Sequence, residues 1–303
     1  MGLADKYGYR VLVLLTVLLS GCDIFNIPIK PFIDSQFGTA GEITAFIITS
    51  PVTAAGTISG TDITITVPYG ATVTKIAPQI THTGASISPA SGAERDFTNP
   101  VTYRVTAANG STRDYRVTVT PAVPAAGDVA YLTSTGTFYT TLQDAVNASS
   151  GTATEANPDT IVLCANIRII AAADTVTIPS GKHVKLIAGD AARTIIREAN
   201  GLGSLITVNN GGSLELGGDA ALTIDGNAGS YTTNDFLIAV SGGALNMSSD
   251  SVILRNNRNT YSSGSGVSVD GGMFTMSGGS ITGNAVTVAG GGGCLCSTTV
   301  RLP

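Results

Sequence analysis

Three times between residues 205 and 284 the chain repeats one phrase: Asn210-Gly211-Gly212-Ser213-Leu214-Glu215-Leu216, Ser241-Gly242-Gly243-Ala244-Leu245-Asn246-Met247, and Asp270-Gly271-Gly272-Met273-Phe274-Thr275-Met276. The Gly-Gly pairs recur after 31 and then 29 residues. Each unit closes alike, on Ile224-Asp225-Gly226-Asn227, Leu254-Arg255-Asn256-Asn257 and Ile281-Thr282-Gly283-Asn284. A unit this short cannot bury an apolar face alone, so such units stack and share one core. Coils of a β-solenoid stack about 4.8 Å apart. In that stack Leu214/Leu216, Leu245/Met247 and Phe274/Met276 are predicted to point inward, because alternate strand residues share a face. The Gly-Gly pairs are predicted to turn coil corners. Asn227, Asn257 and Asn284 are predicted to align as a structural ladder of side-chain amides running from coil to coil. The same register sets Asp225 over Arg255, a pair expected to be exposed and to contribute about 0 to 1 kcal/mol.

These units resemble the right-handed parallel β-helix of pectate-lyase-like and polymorphic outer-membrane repeat proteins. The wording Gly271-Gly272-Met273-Phe274-Thr275-Met276-Ser277-Gly278-Gly279-Ser280-Ile281-Thr282-Gly283-Asn284 is similar to that of spirochaete surface proteins. The resemblance runs from about Val129 onward. It takes in Thr141 to Ala148, a short helix with Thr141 as N-cap and Asp144 in capping-box position. The runs Ile161 to Leu163, Thr175 to Ile178 and Val184 to Ile187 read as strands, with Pro179-Ser180-Gly181 turning between two of them. Val286 to Gly293 starts another coil, which Cys294 to Pro303 abandons without a polar cap. The β-helix, spanning 129–303, is therefore expected to be truncated.

Upstream, Pro121 to Gly127 reads as a Pro/Ala/Gly linker, placed at 122–128. Residues 41–121 break into short strands at Ile43 to Thr49, Asp62 to Val67 and Ala85 to Ser88, with a closing hairpin. That hairpin alternates in Tyr103-Arg104-Val105-Thr106-Ala107 and Tyr115-Arg116-Val117-Thr118-Val119 around Asn109-Gly110, a pair suited to positive φ. From Asn99 to Val119 the wording resembles the Ig-like modules of bacterial surface lipoproteins, which implies a β-sandwich in a spacer or adhesive role. The whole is expected to be all-β.

The first residues are an address. Lys6 and Arg10 precede an apolar run from Val11 to Leu19 that is too short to span a bilayer. It closes on Leu19-Ser20-Gly21-Cys22, which resembles the lipobox of bacterial lipoproteins. The resemblance implies that 1–21 is a signal peptide and that Cys22 carries diacylglycerol and an acyl chain, a stable anchor. Residues 22–40, punctuated by Pro28, Pro31 and Gly38, read as a tether lifting the rest off the membrane. The expected partner is thus a membrane of the cell envelope, inner or outer, with the chain periplasmic or at the cell surface, and beyond it a polysaccharide or protein of host or cell wall.

Composition limits the chemistry. With 16 Lys+Arg against 21 Asp+Glu the chain is mildly acidic, which argues against nucleic acid. Cys164 lies in an apolar run and reads as a buried small hydrophobe. Cys294 and Cys296 fit neither zinc nor redox spacing. His82 and His183 stand alone, so no metal is expected. Gly290 to Gly293 precedes no helix or Lys-Ser/Thr and reads as a coil corner rather than a phosphate loop. The acidic candidates for a polysaccharide-cleaving site are Asp219 and Asp250, equivalent in successive units, with Asp225, Asp235 and Asp270. Asp219 and Asp250 follow Gly217-Gly218 and Ser248-Ser249, turn contexts that favour solvated carboxylates. No catalytic residue and no cofactor is assigned. The expectation is a non-enzymatic envelope lipoprotein presenting a β-helix for structure or adhesion. The alternatives are a carbohydrate-active lyase or hydrolase, or a truncated product without function.

Overall fold

The period-two alternation of the upstream segment does form strands, β1 (Ile43–Ile48), β2 (Ala54–Ala55), β3 (Thr57–Ser59), β4 (Asp62–Val67), β5 (Gln79–His82), β6 (Ser86–Ser88), β7 (Val101–Thr106) and β8 (Thr112–Pro121). The computed structural model describes residues 41–260 and 265–287. Leu19, Ser20, Gly21, Cys22, the tether, Gly290 to Gly293, Cys294, Cys296 and the expected truncation lie outside the described residues. The chain divides into two compact units, one drawn from residues up to 65 and from 74–118, the other from 66–73 and from 119 onward.

In the first unit the strands form two sheets, ordered β2-β1-β5 and β3-β4-β8-β7-β6. Alternation decides what each strand buries: in β4, Ile63, Ile65 and Val67 are buried while the residues between them are exposed. The two inner faces meet through Phe46 of β1, whose ring stands edge-on to Tyr103 of β7 at 5.4 Å between centroids and to Phe97 at 6.4 Å. Edge-on contact sets the positive ring edge against a negative face. The β7–β8 pairing places Tyr103 opposite Tyr115 and closes through Asn109 and Gly110. Gly110 takes φ +82°, and Asn109 Oδ1 accepts from the Ser111 amide at 2.9 Å. Sequence patterning passed over β2, β3 and β5, which are too short or too polar to show a period.

The second unit opens with an antiparallel hairpin of β9 (Ala130–Leu132) and β10 (Thr137–Tyr139), then α1 (Leu142–Ala148). Thr141 caps α1: its Oγ1 accepts from the Asp144 amide at 3.1 Å and donates to Asp144 Oδ2 at 2.7 Å. Coils follow. The first holds β11 (Asp159–Leu163), β12 (Ile167–Ile169) and β13 (Val176–Ile178). The second holds β14 (His183–Ala188), β15 (Arg193–Arg197) and β16 (Ile206–Asn209), and the third β17 (Ser213–Gly217), β18 (Leu222–Asp225) and β19 (Ile238–Ser241). The fourth adds β20 (Ala244–Met247), β21 (Val252–Arg255), short β22 (Arg258–Asn259) and β23 (Val267–Asp270). Above it lie β24 (Met273–Met276), β25 (Ser280–Thr282) and β26 (Ala285–Val286).

These strands stack into three parallel sheets, β11-β14-β17-β20-β24, β12-β15-β18-β21-β25 and β13-β16-β19-β23. The repeat register is the observed one: Leu214 faces Leu245, which faces Phe274, and Leu216 faces Met247, which faces Met276. Leu214, Leu216, Leu245 and Met247 are buried, with Phe274 and Met276 packed against the same core. Each such side chain contributes about 1.5–3 kcal/mol by leaving water. The β9–β10 hairpin pairs with β11 along one edge of the stack. Helix α1 covers the core below the first coil, burying Leu142, Ala145 and Val146 against Ile161, Val176 and Ile178. The turn from the first coil into the second lacks the Gly-Gly phrase but also uses a positive φ, at Gly181 (+74°).

Two expectations are corrected. Asp225 does lie over Arg255, with Oδ2 2.8 Å from the arginine Nε, but only 6% of the aspartate is exposed. Its Oδ1 also accepts from the Asn227 amide at 2.8 Å, so it fastens a turn as well as a coil. The predicted ladder of side-chain amides does not form, and the one bond between these asparagines runs from a backbone N–H. Asn284 Oδ1 accepts from the Asn257 amide at 2.9 Å, and Asn284 Nδ2 donates to Leu254 O. Asn227 bonds instead to Arg197 O, because it carries the positive φ (+53°) that the next two coils place one residue earlier, on Asn256 and Gly283. A charged side chain also sits in the interior. Arg197 is fully buried and donates to the carbonyls of Leu202 at 2.9 Å and Gly203 at 3.1 Å. Burial brings its guanidinium down to about 10, against the opposing charge of Asp235.

Candidate functional site

A strand that turns Leu214 and Leu216 inward turns Glu215 outward, and the stack multiplies that rule coil by coil. Lys185, Glu215, Asn246 and Thr275 therefore stand in direct register on β14, β17, β20 and β24, one per coil. Thr160 of β11 begins the row. Beside it runs a second outward row of His183, Ser213, Ala244 and Met273. A cleft of about 450 Å³ opens over these rows, lined by Ser213, Glu215, Ala244, Asn246 and Thr275 on the sheet. Its other wall is Glu155, Ala156 and Pro158.

That wall is a loop pinned at its base. Asp159 is buried, and its Oδ2 accepts from the Ser150 amide and from the Ser134 hydroxyl, both at 2.8 Å. At the tip Thr154 and Asn157 bridge each other, and Thr154 Oγ1 accepts from the Asn157 amide at 3.1 Å. Hydrogen bonds to buried carboxylates are among the stronger ones, so the base of the wall is held firmly.

On the floor Glu215 is engaged rather than free. Its Oε1 lies 2.7 Å from Lys185 Nζ and accepts from Ser248 Oγ at 2.8 Å. Burial works to raise its carboxyl, but the bonds from Lys185 and Ser248 outweigh it and hold the group below the usual carboxylate range. Ser213 Oγ shares a hydrogen with His183 Nδ1 at 2.8 Å. Asn246 Oδ1 is buried and has no hydrogen-bond partner. A buried acceptor without a donor loses about 1–3 kcal/mol relative to a satisfied one. The cleft thus offers a row of hydroxyl, amide and carboxylate groups at the coil spacing, which suits a long ligand rich in hydroxyls.

The acidic residues read from sequence fall elsewhere. Asp219 and Asp250 are exposed at turns outside the cleft, and Asp270 is exposed at the end of β23. Asp225 is held by Arg255, and Asp235 accepts from Ser204 Oγ at 2.8 Å and from the Phe236 amide at 2.9 Å. Among the described residues no group of His, Cys, Asp and Glu could hold a metal ion. Cys164 is buried and its thiol is pushed up to about 12 by burial, so it is a poor nucleophile. The cleft residues Glu155, Glu215, Asn246 and Thr275 were not singled out as a site by the sequence. For Glu215, Asn246 and Thr275 the available signal was the polar position between each pair of inward apolar residues; Glu155, on a loop, carried none.

Comparison with known proteins bears on the first unit. Residues 43–119 match the family model described as SGBP, N-terminal, a surface glycan-binding protein domain. The matched span holds β1 to β7 and most of β8. No curated protein matches the chain. Among solved structures, one from Bacteroides thetaiotaomicron described as a "putative glycoside hydrolase" is similar at 32% identity. The likeness covers 31% of this chain and 28% of that one, with a TM-score of 0.27, too partial to carry a functional argument. No helix among the described residues is long and apolar enough to cross a membrane.

Proposed function

We propose that this chain is a cell-surface glycan-binding protein, anchored by lipid on Cys22, whose solenoid cleft holds a polysaccharide without cleaving it. The observation that carries the reading is the SGBP match over 43–119 on a chain whose solenoid presents the row Lys185, Glu215, Asn246 and Thr275. A ligand lying along the row meets one polar side chain per coil, and repeated weak contacts add up along a repeating polymer. The state of Glu215 supports binding over hydrolysis. Glycoside hydrolases need one carboxyl that stays protonated as general acid, which calls for a raised pKa, and Glu215 is shifted the other way.

One observation favours a second reading. Glu155 and Glu215 line the same cleft, and two facing carboxylates are the minimum equipment of a glycosidase. The test is affinity electrophoresis of the purified chain through gels containing a panel of plant and microbial glycans, beside an assay for reducing ends. Retardation by at least one glycan, without release of reducing ends, supports the binding role. Turnover abolished by both Glu155→Gln and Glu215→Gln would establish the enzyme instead. The anchor has its own test. In a lipoprotein-processing host, mass spectrometry should find the mature N-terminus at Cys22 with acyl chains, and Cys22→Ser should release the chain to the soluble fraction.

A further inference from the structure

The lining of the cleft carries a charge pattern that selects among glycans. Two carboxylates, Glu155 and Glu215, face into it, and the lining contains no Lys, Arg or His. The nearest cation in the row, Lys185, is already engaged, its Nζ 2.7 Å from Glu215 Oε1. His183, in the neighbouring row, has its Nδ1 occupied by Ser213. A bound uronate would bring its own carboxylate against Glu155, while Glu215 keeps Lys185 occupied, so no cation of the lining is left to receive it. Like charges set together at an interface cost enough to exclude a ligand. A neutral sugar brings only hydroxyls, which can donate to the Glu155 carboxylate and bond with the polar side chains of Asn246 and Thr275 that line the cleft.

We infer that the cleft selects an uncharged polysaccharide and rejects polyuronates, with Glu155 acting as the excluding charge and Asn246 as a polar contact on the cleft floor. The inference rests on the glycan-binding reading above and adds the substrate class to it.

The experiment is calorimetric titration of the full purified chain with a neutral β-glucan, a neutral xylan and polygalacturonate, at low and at raised salt. The neutral polymers should bind, with polygalacturonate at least about tenfold weaker at low salt and gaining as salt screens the repulsion. Glu155→Gln should narrow the gap by raising polygalacturonate affinity. Glu155 lies in an exposed part of the loop, so this variant keeps the fold and stays informative should Glu215→Gln unfold. Asn246→Ala should weaken neutral-glycan binding by about three- to tenfold, the loss of a single hydrogen bond. Polygalacturonate binding as tightly as the neutral polymers, and weakened by salt, would overturn the selection while leaving glycan binding intact. Binding of neither class would overturn the glycan-binding reading itself. Neutral binding indifferent to both Asn246→Ala and Glu155→Gln would move the site away from this cleft.

Discussion

Gly242 and Gly243 are neighbours that differ in what requires them: both are crowded, a Cβ at Gly242 meeting Asn210 Cβ at 2.9 Å, but only Gly242 has a left-handed backbone. Gly242 takes φ +79°, where an L side chain costs about 1–2 kcal/mol. Gly243 has an ordinary φ, but a Cβ there would stand 2.4 Å from Asn209 O, a backbone atom that cannot step aside. Gly243→Ala is therefore expected to destabilise by about 3 kcal/mol, more than Gly242→Ala, since overpacking against backbone has no cheap relief. Thermal denaturation of the two variants checks this, and an equal or reversed order would show that conformation dominates over contact at the coil corner. Glu215 supplies a pH prediction at the same scale. Its carboxyl is held below the usual range in the folded chain, so its contribution is present above the unfolded value and lost as pH falls through the folded one. Stability should drop on acidification below about pH 4, and Glu215→Gln should flatten that drop in acid titrations followed by circular dichroism.

At the scale of elements, the vulnerable parts of a solenoid are its open strand edges, which invite other chains to pair. Gln143 of α1 closes one of them. Its Nε2 donates to Thr177 O at 3.0 Å and its Oε1 accepts from Thr177 N at 2.7 Å, so one amide side chain occupies the free edge of β13 as a neighbouring strand would. Lys182 ties the other end of the helix, donating from Nζ to Asn147 O at 2.9 Å. Gln143→Ala is expected to cost about 1–3 kcal/mol, because it leaves a donor and an acceptor of Thr177 unpaired together. Chemical denaturation measures the cost, and light scattering should show more self-association than the parent chain. A neutral variant would mean that water satisfies this edge without help.

Across the whole solenoid, each coil touches only its neighbours, so stability is shared along the stack. Leu216→Ala removes a fully buried side chain between Leu186 and Met247, at a cost of about 2–5 kcal/mol. Hydrogen exchange should show the amides of β14 and β20 losing protection together with those of β17. Loss confined to β17 would mean that each coil holds itself. The same nearest-neighbour logic makes the cleft possible, since one outward side chain per coil becomes a row only once the coils are stacked.

How much of this was legible depended on whether a property repeats locally. The period of the Gly-Gly phrase, the alternation of Leu214/Leu216 with their counterparts, the Asp225–Arg255 register and the Thr141 cap are all written in neighbouring residues or in an exact interval. The sequence alone therefore determined the β-solenoid, its register from Leu214 to Met276, and a sandwich ahead of it. The tertiary structure decided the rest. It enlisted β12 and β15, whose sequences carry no repeat signal, because their neighbours offered a ladder to join. It buried Asp225 and Arg197 by wrapping chain around them, and it set Asn227 out of line by moving one positive φ a residue along. Above all it brought Glu155, on a loop before the first coil, opposite Glu215, Asn246 and Thr275. Those residues meet through stacking and a loop pinned on Asp159, and contact at such separations leaves no local pattern in the sequence to read.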